Sequence, residues 1–312
     1  MGTHPLFGHP DVLEVTVPVA TMWARPDAPR EVDRDAVADL PDVAAWADAL
    51  DTPLRQGLNG RTLTQLLLGE AVLVVEDRGD WVRVVALGQP SSADPSGYPG
   101  WMRRAHLGSA VRRSTGPAAF VMTRSAPCDV EDDTEVELSF GTGLWVESVS
   151  EDAVTALLPG DRRGQVSLRH LRLAHEQQQP VYGGDDVLAA ASRLLGLRYL
   201  WGGTSAWGLD CSGLVHLAFR AFGVLLPRDA VDQAAAVEPV NLDEVRPGDL
   251  YFFAPPGGPV NHVGLVSREP GPDGVLWMLH APEAGMLLEE CPMAPHRRET
   301  LRAAGRVRKP HG

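Results

Sequence analysis

Asp210-Cys211-Ser212-Gly213 stands directly before Leu214, Val215, Ala218 and Phe222, apolar residues at helical spacing. Asp210 is a natural N-cap, which sets Cys211 in the first turn of a helix. Unpaired N–H groups and the positive end of the helix dipole favour thiolate there, the nucleophilic form of cysteine. Taken alone, a free cysteine is more often a small buried hydrophobe. Two histidines tip the balance. His262 opens a run in which alternation sets Val263 and Leu265 on one face and His262 with Val266 on the other. His280 closes the next run, Val275 to His280, so an antiparallel hairpin of matching register brings the imidazoles together. The result is a thiol, a base and an orienter: His262 draws the thiol proton and later protonates a leaving amine, and His280 fixes its tautomer. As metal ligands, Cys211, His262 and His280 match no compact motif and lack a fourth donor, so no metal is expected.

The surrounding segment is an α+β domain over 176–312. A polar linker, His175 to Gly184, leads into a helix with Asp186 as cap and Val187, Leu188, Ala191, Leu194 and Leu195 on one face. The Cys211 helix follows, and then strands at Leu250–Phe253, His262–Val266 and Val275–His280 in series, which gives helices first and an antiparallel sheet second. Upstream the chain is β-rich. Ala71–Glu76 and Trp81–Ala86 flank a hairpin signal at Asp77–Asp80, with an opening strand from Val15 to Met22 and a helical insert from Leu40 to Leu50. Glu135–Leu138, Leu144–Val149 and Val154–Leu158 form a second meander. Arg104-Ala105-His106-Leu107 recurs 64 residues later as Leu168-Arg169-His170-Leu171, which marks a tandem repeat of one small β-barrel. The two units divide as 11–110 and 111–175, and the repeat-related His106 and His170 read as structural.

Among 312 residues, 28 are Lys or Arg and 41 Asp or Glu, a net charge of −13. Nucleic acid and anionic membrane are thereby poor partners, because both require a basic surface. A small peptide fits better. The 44% of hydrophobic residues is enough for a sizeable core. Met1 to Pro10 lacks the basic and apolar regions of a signal peptide, and no run reaches the length of a membrane span, so a cytoplasmic location is expected. Cys128, Cys211 and Cys291 are odd in number and far apart, with no disulfide framework. Cys128 lies in the β-repeat, and Cys291 follows Glu289 and Glu290, whose charge raises a thiol pKa; both are weaker nucleophiles than Cys211.

Six ordered motifs carry a family resemblance: Tyr199-Leu-Trp-Gly-Gly203, Leu209-Asp-Cys-Ser-Gly-Leu214, Leu226-Pro-Arg-Asp229, Arg246-Pro-Gly-Asp-Leu250, Asn261-His-Val-Gly-Leu265 and His280. Over about residues 185–308 the chain resembles the NlpC/P60 cysteine peptidases of bacterial cell-wall metabolism, and the β-repeats look like bacterial SH3 (SH3b) domains. The resemblance implies two small SH3-like β-barrels followed by an α+β papain-like domain with a central antiparallel sheet. It implies a γ-D-glutamyl-L-diamino acid endopeptidase, acting on short muropeptides without metal or organic cofactor. Cys211 becomes nucleophile, His262 base and His280 third catalytic residue, and Tyr199 is added as an oxyanion donor. Tyr98, Glu70 and Asp229 are expected to hold a free N-terminal ammonium of the substrate, where the first SH3b domain closes the cleft. Asp210 and Trp201 flank the same motifs as substrate contacts. One departure is Ala230, where related enzymes often carry serine, so Ser212 remains to bind the D-Glu carboxylate. The alternatives are an exported wall hydrolase anchored by its SH3b domains, a thioester-forming acyltransferase and an inactive wall-binding protein. The intact Cys–His–His set argues against the last.

Overall fold

Three sheets organise residues 9–110, 119–174 and 182–308, the part of the chain that the computed structural model describes. Met1 to Gly8 and linker residues 175–181 lie outside it, and with them most of the stretch read for a signal peptide and most of the expected linker. The first sheet contains β1 (Val12–Val15), β2 (Val19–Trp23), β3 (Thr62–Leu67), β4 (Ala71–Asp77), β5 (Trp81–Ala86), β6 (Tyr98–Arg103) and β7 (Leu107–Ser109), ordered β3-β2-β6-β5-β4-β1-β7. The second contains β8 (Ala119–Val121), β9 (Ser125–Val130), β10 (Glu135–Ser139), β11 (Gly143–Val149), β12 (Ala153–Leu158), β13 (Arg162–Ser167) and β14 (Leu171–Leu173), ordered β10-β9-β13-β12-β11-β8-β14. Strand for strand the order repeats, and 3-10 turns at Arg104–His106 and Leu168–His170 fall at the same point of each copy. Each copy is a seven-stranded antiparallel sheet whose described pairings run edge to edge.

Two elements depart from expectation. The opening strand is divided into β1 and β2 at Pro18, which has no N–H for a ladder. The single insert helix is three short ones: α1 (Arg34–Val37), α2 (Val43–Ala49) and α3 (Thr52–Gln56). Asp42 caps α2 by accepting the Ala45 N–H at 2.8 Å, so this helix starts after Pro41, and Asp51 caps α3 through the Leu54 N–H at 2.9 Å.

The third unit begins with α4 (Gly184–Ser192), whose N-cap is Gly183. Asp186 lies inside the first turn, not at the cap, and accepts the Gly183 N–H at 2.7 Å. A small hairpin, β15 (Thr204–Ser205) with β16 (Gly208–Leu209), precedes α5 (Cys211–Arg220) and α6 (Ala230–Ala236). The main sheet is made of β17 (Glu238–Val240), β18 (Leu250–Phe253), β19 (His262–Arg268), β20 (Trp277–His280), β21 (Glu289–Pro292) and, after α7 (Pro295–Thr300), β22 (Leu301–Arg306). Its order is β17-β22-β18-β19-β20-β21, antiparallel throughout, so the latest strand in the chain lies between two earlier ones. Alternation sorts the sheet residues into two cores. Leu250, Phe252, Val263, Leu265 and Leu279 cluster with Leu214, Val215 and Ala218 of α5, while Tyr251, Phe253, Val266 and Met278 form a separate cluster. Among the described residues no helix is long and apolar enough to cross a membrane.

Candidate active site

Helix α5 starts where the sequence places it. Asp210 is extended and caps the helix, its Oδ1 accepting the Gly213 N–H at 2.7 Å, which leaves Cys211 as the first helical residue. Its Sγ faces the backbone N–H groups of Ser212 and Val263, so the thiol rests against β19 one residue beyond His262. On the neighbouring strand, His280 accepts or donates through Nδ1 to Nε2 of His262 at 2.8 Å, ring edge to ring face. Leu265 pairs with Leu279, which brings Gly264 opposite His280. A Cβ at Gly264 would meet the His280 Cβ at 3.1 Å, so this glycine leaves His280 the room to lean toward His262. The bond to His280 leaves Nδ1 of His262 as the ring nitrogen available to the thiol.

The electrostatics differ from the expected low thiol pKa. Burial pushes Cys211 up to about 12, with the nearby Asp210 charge adding to the rise; the amides of Val263 and Ser212 and the Arg228 charge act in the lowering direction and are outweighed. Burial likewise holds His262 well below its usual range and His280 down to about 3, with the Arg297 charge acting the same way. Burial thus favours neutral thiol and neutral imidazole over the ion pair. Tyr199 is buried beside this centre, and burial raises its phenol, so the hydroxyl keeps its proton as a donor.

Around Asp210 stands a network that the sequence reading did not assign. Arg228, 1% exposed, grips both Asp210 oxygens at 3.0 and 2.7 Å, and donates to the Ser212 hydroxyl at 2.9 Å and to Thr64 of the first unit at 2.8 Å. Asp210 also accepts the Gly202 N–H at 2.9 Å and the Ser212 hydroxyl at 3.2 Å. Asp210 and Ser212, expected as substrate contacts, are thus engaged with the protein itself. The Leu226–Asp229 motif contained the signal for Arg228, but its partner is 18 residues away in the chain. Trp201 is 39% exposed at the rim, its carbonyl accepting from Thr62 at 2.8 Å.

Of the three residues expected to bind an ammonium, two meet directly. The Tyr98 hydroxyl donates to Asp229 at 3.0 Å across the seam between β6 and the start of α6. Burial raises the Asp229 carboxyl, while the Arg228 charge and the Tyr98 hydrogen bond restrain it. Glu70 is placed differently: one oxygen accepts the Leu67 N–H at 2.9 Å and pairs with Arg220 of α5 at 3.2 Å, while its buried Oε2 has no protein partner. It shares with Tyr98 the corner at residues 86–88, where Tyr98 pairs with Ala86 and Gly88 lies beside Oε2.

A buried thiol capped into a helix start, a paired imidazole on the adjoining sheet and a proton-bearing phenol are the parts of a cysteine peptidase. A family model described as "NlpC/P60 family" matches residues 196–302. The gamma-D-glutamyl-L-lysine dipeptidyl-peptidase of Bacillus subtilis (strain 168) is 35% identical over 283 residues, which span 87% of this chain and 90% of that protein. Its namesake from Bacillus cereus (strain ATCC 10987 / NRS 248) is 31% identical over 292 residues, 89% of this chain and 85% of the relative. The crystal structure of an NlpC/P60 family protein from Bacillus cereus ATCC 10987 matches at a TM-score of 0.88 and 29% identity, covering 96% of this chain and 100% of that one. The chain belongs to the NlpC/P60 family of cysteine peptidases, and its two β-rich units are consistent with SH3b domains.

Proposed function

We propose that this chain hydrolyses the amide between γ-D-Glu and an L-diamino acid in short muropeptides whose N-terminal amine is free, such as L-Ala-γ-D-Glu-diaminopimelate. The observation that carries this reading is the Tyr98–Asp229 contact at 3.0 Å, a half-buried carboxylate capped by a hydroxyl from the first unit. Burial destabilises the Asp229 anion more than the nearby Arg228 charge restrains it, and an ammonium supplies a further charge partner. The free Oε2 of Glu70 at the same corner offers a second acceptor, with its charge already partly balanced by Arg220. The curated relatives are named for a dipeptidyl-peptidase activity on γ-D-glutamyl-L-lysine, which fits cleavage at a fixed distance from a free amine.

In the reaction, the Cys211 thiol gives its proton to Nδ1 of His262 as Sγ attacks the γ-carbonyl of D-Glu. Because burial keeps both groups neutral at rest, proton transfer accompanies attack. The oxyanion is met by the Tyr199 hydroxyl and the Cys211 N–H. His262 then protonates the departing amine, leaving a thioester that water hydrolyses with His262 as base. His280 keeps Nε2–H of His262 directed at its own Nδ1, which holds the Nδ1 lone pair of His262 toward sulfur. A stem peptide still attached to glycan has its L-Ala nitrogen in an amide, so a site that demands ammonium selects released peptides and supports a place in intracellular murein-peptide recycling.

Cys211→Ala is expected to abolish turnover with the fold retained. The deciding experiment compares kcat/KM for L-Ala-γ-D-Glu-diaminopimelate and its N-acetyl derivative, for which a fall of about 100-fold or more is expected. Equal rates would remove the ammonium site from the mechanism.

A further inference from the structure

On the side of His280 away from His262, three donor atoms converge. Glu289 pairs directly with His280 across β20 and β21, and Cys291 lies two residues further along the same face of β21, opposite Met278. Nε2 of His280 is 3.6 Å from Oε1 of Glu289 and 3.9 Å from Sγ of Cys291, and Sγ is 3.6 Å from the same Oε1. The His280–Glu289 separation is long for an N–H···O hydrogen bond, which falls at about 2.7–3.2 Å, whereas the Cys291 thiol donates to Glu289 within the longer range of sulfur, so all three distances leave room for an ion. They are close to the edges of a tetrahedron around zinc, roughly 3.3–3.6 Å for bonds of about 2.0–2.3 Å. Among the described residues this is the one grouping of metal-type donors, and it does not include Cys211 or His262.

We propose that His280, Glu289 and Cys291 form an inhibitory site for a soft divalent cation, Zn2+ by the chemistry of its donors, that switches the peptidase off by reversing the hydrogen bond between His280 and His262. Imidazole, thiolate and carboxylate are a zinc ligand set, with the fourth position left to water. The Glu289 side chain is 43% exposed and Cys291 is half-buried on the edge strand β21, so an ion reaches them from solvent. Binding displaces the Cys291 thiol proton to solvent and takes the Nε2 lone pair of His280.

The consequence follows from proton positions alone, given the roles assigned to His262 and His280 above. The active arrangement needs the proton of neutral His280 on Nε2, so that its Nδ1 accepts from His262. With a metal on Nε2, that proton moves to Nδ1, which must now donate to Nε2 of His262 at the 2.8 Å contact. His262 in turn carries its single proton on Nδ1, and no lone pair faces the thiol. The base is lost without any movement of the backbone. Arg297 lies near enough for its charge to act on His280 and Cys291, which weakens cation binding and makes it reversible.

The test titrates the full chain with Co2+ and then Zn2+. One equivalent of Co2+ is expected to give a thiolate-to-metal charge-transfer band that Zn2+ displaces. Zn2+ is expected to lower kcat/KM at least about tenfold, with recovery on adding EDTA. Cys291→Ser keeps its basal activity, loses the band and needs at least about tenfold more Zn2+ for the same inhibition; Glu289→Gln weakens binding in the same direction. Cys211→Ala retains the band. Absence of stoichiometric binding, a band that survives Cys291→Ser, a band lost in Cys211→Ala, or full activity with Zn2+ bound would each overturn the proposal. The spectroscopic arm reads the site even with no muropeptide turnover, so its failure is separate from failure of the proposed function.

Discussion

Between β2 and β3 the first unit carries residues 24–61, three helices included, whereas between β9 and β10 the second carries only 131–134. Between β5 and β6 the first has residues 87–97, and between β12 and β13 the second has 159–161. The enlarged loops are where the first unit meets the catalytic centre. Arg55 of α3 donates to the Tyr199 carbonyl at 2.9 Å, Pro90 accepts the Arg228 N–H at 3.0 Å, and Ser92 donates to Asp232 at 2.9 Å. Strand β3 adds Gln65, which exchanges three hydrogen bonds with Thr204. The second unit touches other parts of the domain. Arg172 donates to the Ala221 carbonyl at 3.0 and 2.8 Å, just past the end of α5, Arg124 to Leu195 at 3.0 Å, and Ser139 accepts the Ala206 N–H at 2.9 Å. One topology used twice thus meets the candidate site in one copy and other parts of the same domain in the other, and loop length makes the difference.

The most severe challenge to this division is Arg228→Met. It leaves the buried Asp210 carboxylate without its charge partner, and a loss of about 3–5 kcal/mol in denaturant unfolding is expected. Tyr98→Phe is next. Losing a hydrogen bond to a charged group should lower kcat/KM on the free-amine peptide roughly 10- to 100-fold and narrow its advantage over the N-acetyl peptide. Arg172→Met should instead lower the unfolding midpoint and leave that ratio alone; a change in the ratio would make the second unit part of the site. Acid offers a third comparison. His106 is fully buried, its Nε2 donating to the Ala38 carbonyl at 2.7 Å, and burial lowers its pKa; His170 is only half-buried, and lesser burial with the Arg169 charge lowers its pKa as well. Buried neutral histidines take up protons only on unfolding, so the folded state binds fewer protons and stability falls as pH drops through about 6.5. For His280 this loss continues to about pH 3. Urea midpoints measured against pH should show a flatter acid limb in His106→Gln than in His170→Gln, and equal slopes would refute the distinction. Smallest of all is Arg163→Gln in the second unit, whose solvent-exposed pair with Glu147 should give no measurable change in Tm.

The candidate trio of Cys211, His262 and His280 could be read because its signals are local: an N-cap aspartate before an apolar helical stripe, and a strand alternation that places one histidine. The repeat was legible because the Arg104–Leu107 turn recurs as residues 168–171 with its histidine. The pairing of Arg228 with Asp210 was not, since it joins a loop to a helix start and takes a third partner, Thr64, 164 residues from Arg228. The thiol pKa went the opposite way because helix position is visible in sequence and depth of burial is not. Strand β22 was hidden for a compositional reason: its interior Ala303-Ala304-Gly305 is small and carries no β signal, and long-range pairing with β17 and β18 alone makes it a strand.

That late strand has a bearing on biosynthesis. Leu250-Tyr-Phe-Phe253 emerges from the ribosome some fifty residues before Leu301–Arg306, and until then one edge of this apolar strand is uncovered. The newborn chain can build both β-rich units and begin α5 while the sheet that carries the histidines lacks an inner member. A ribosome stalled in that interval would hold a chain with an open, sticky edge, and so a risk of misassociation arises after both β-rich units have been made.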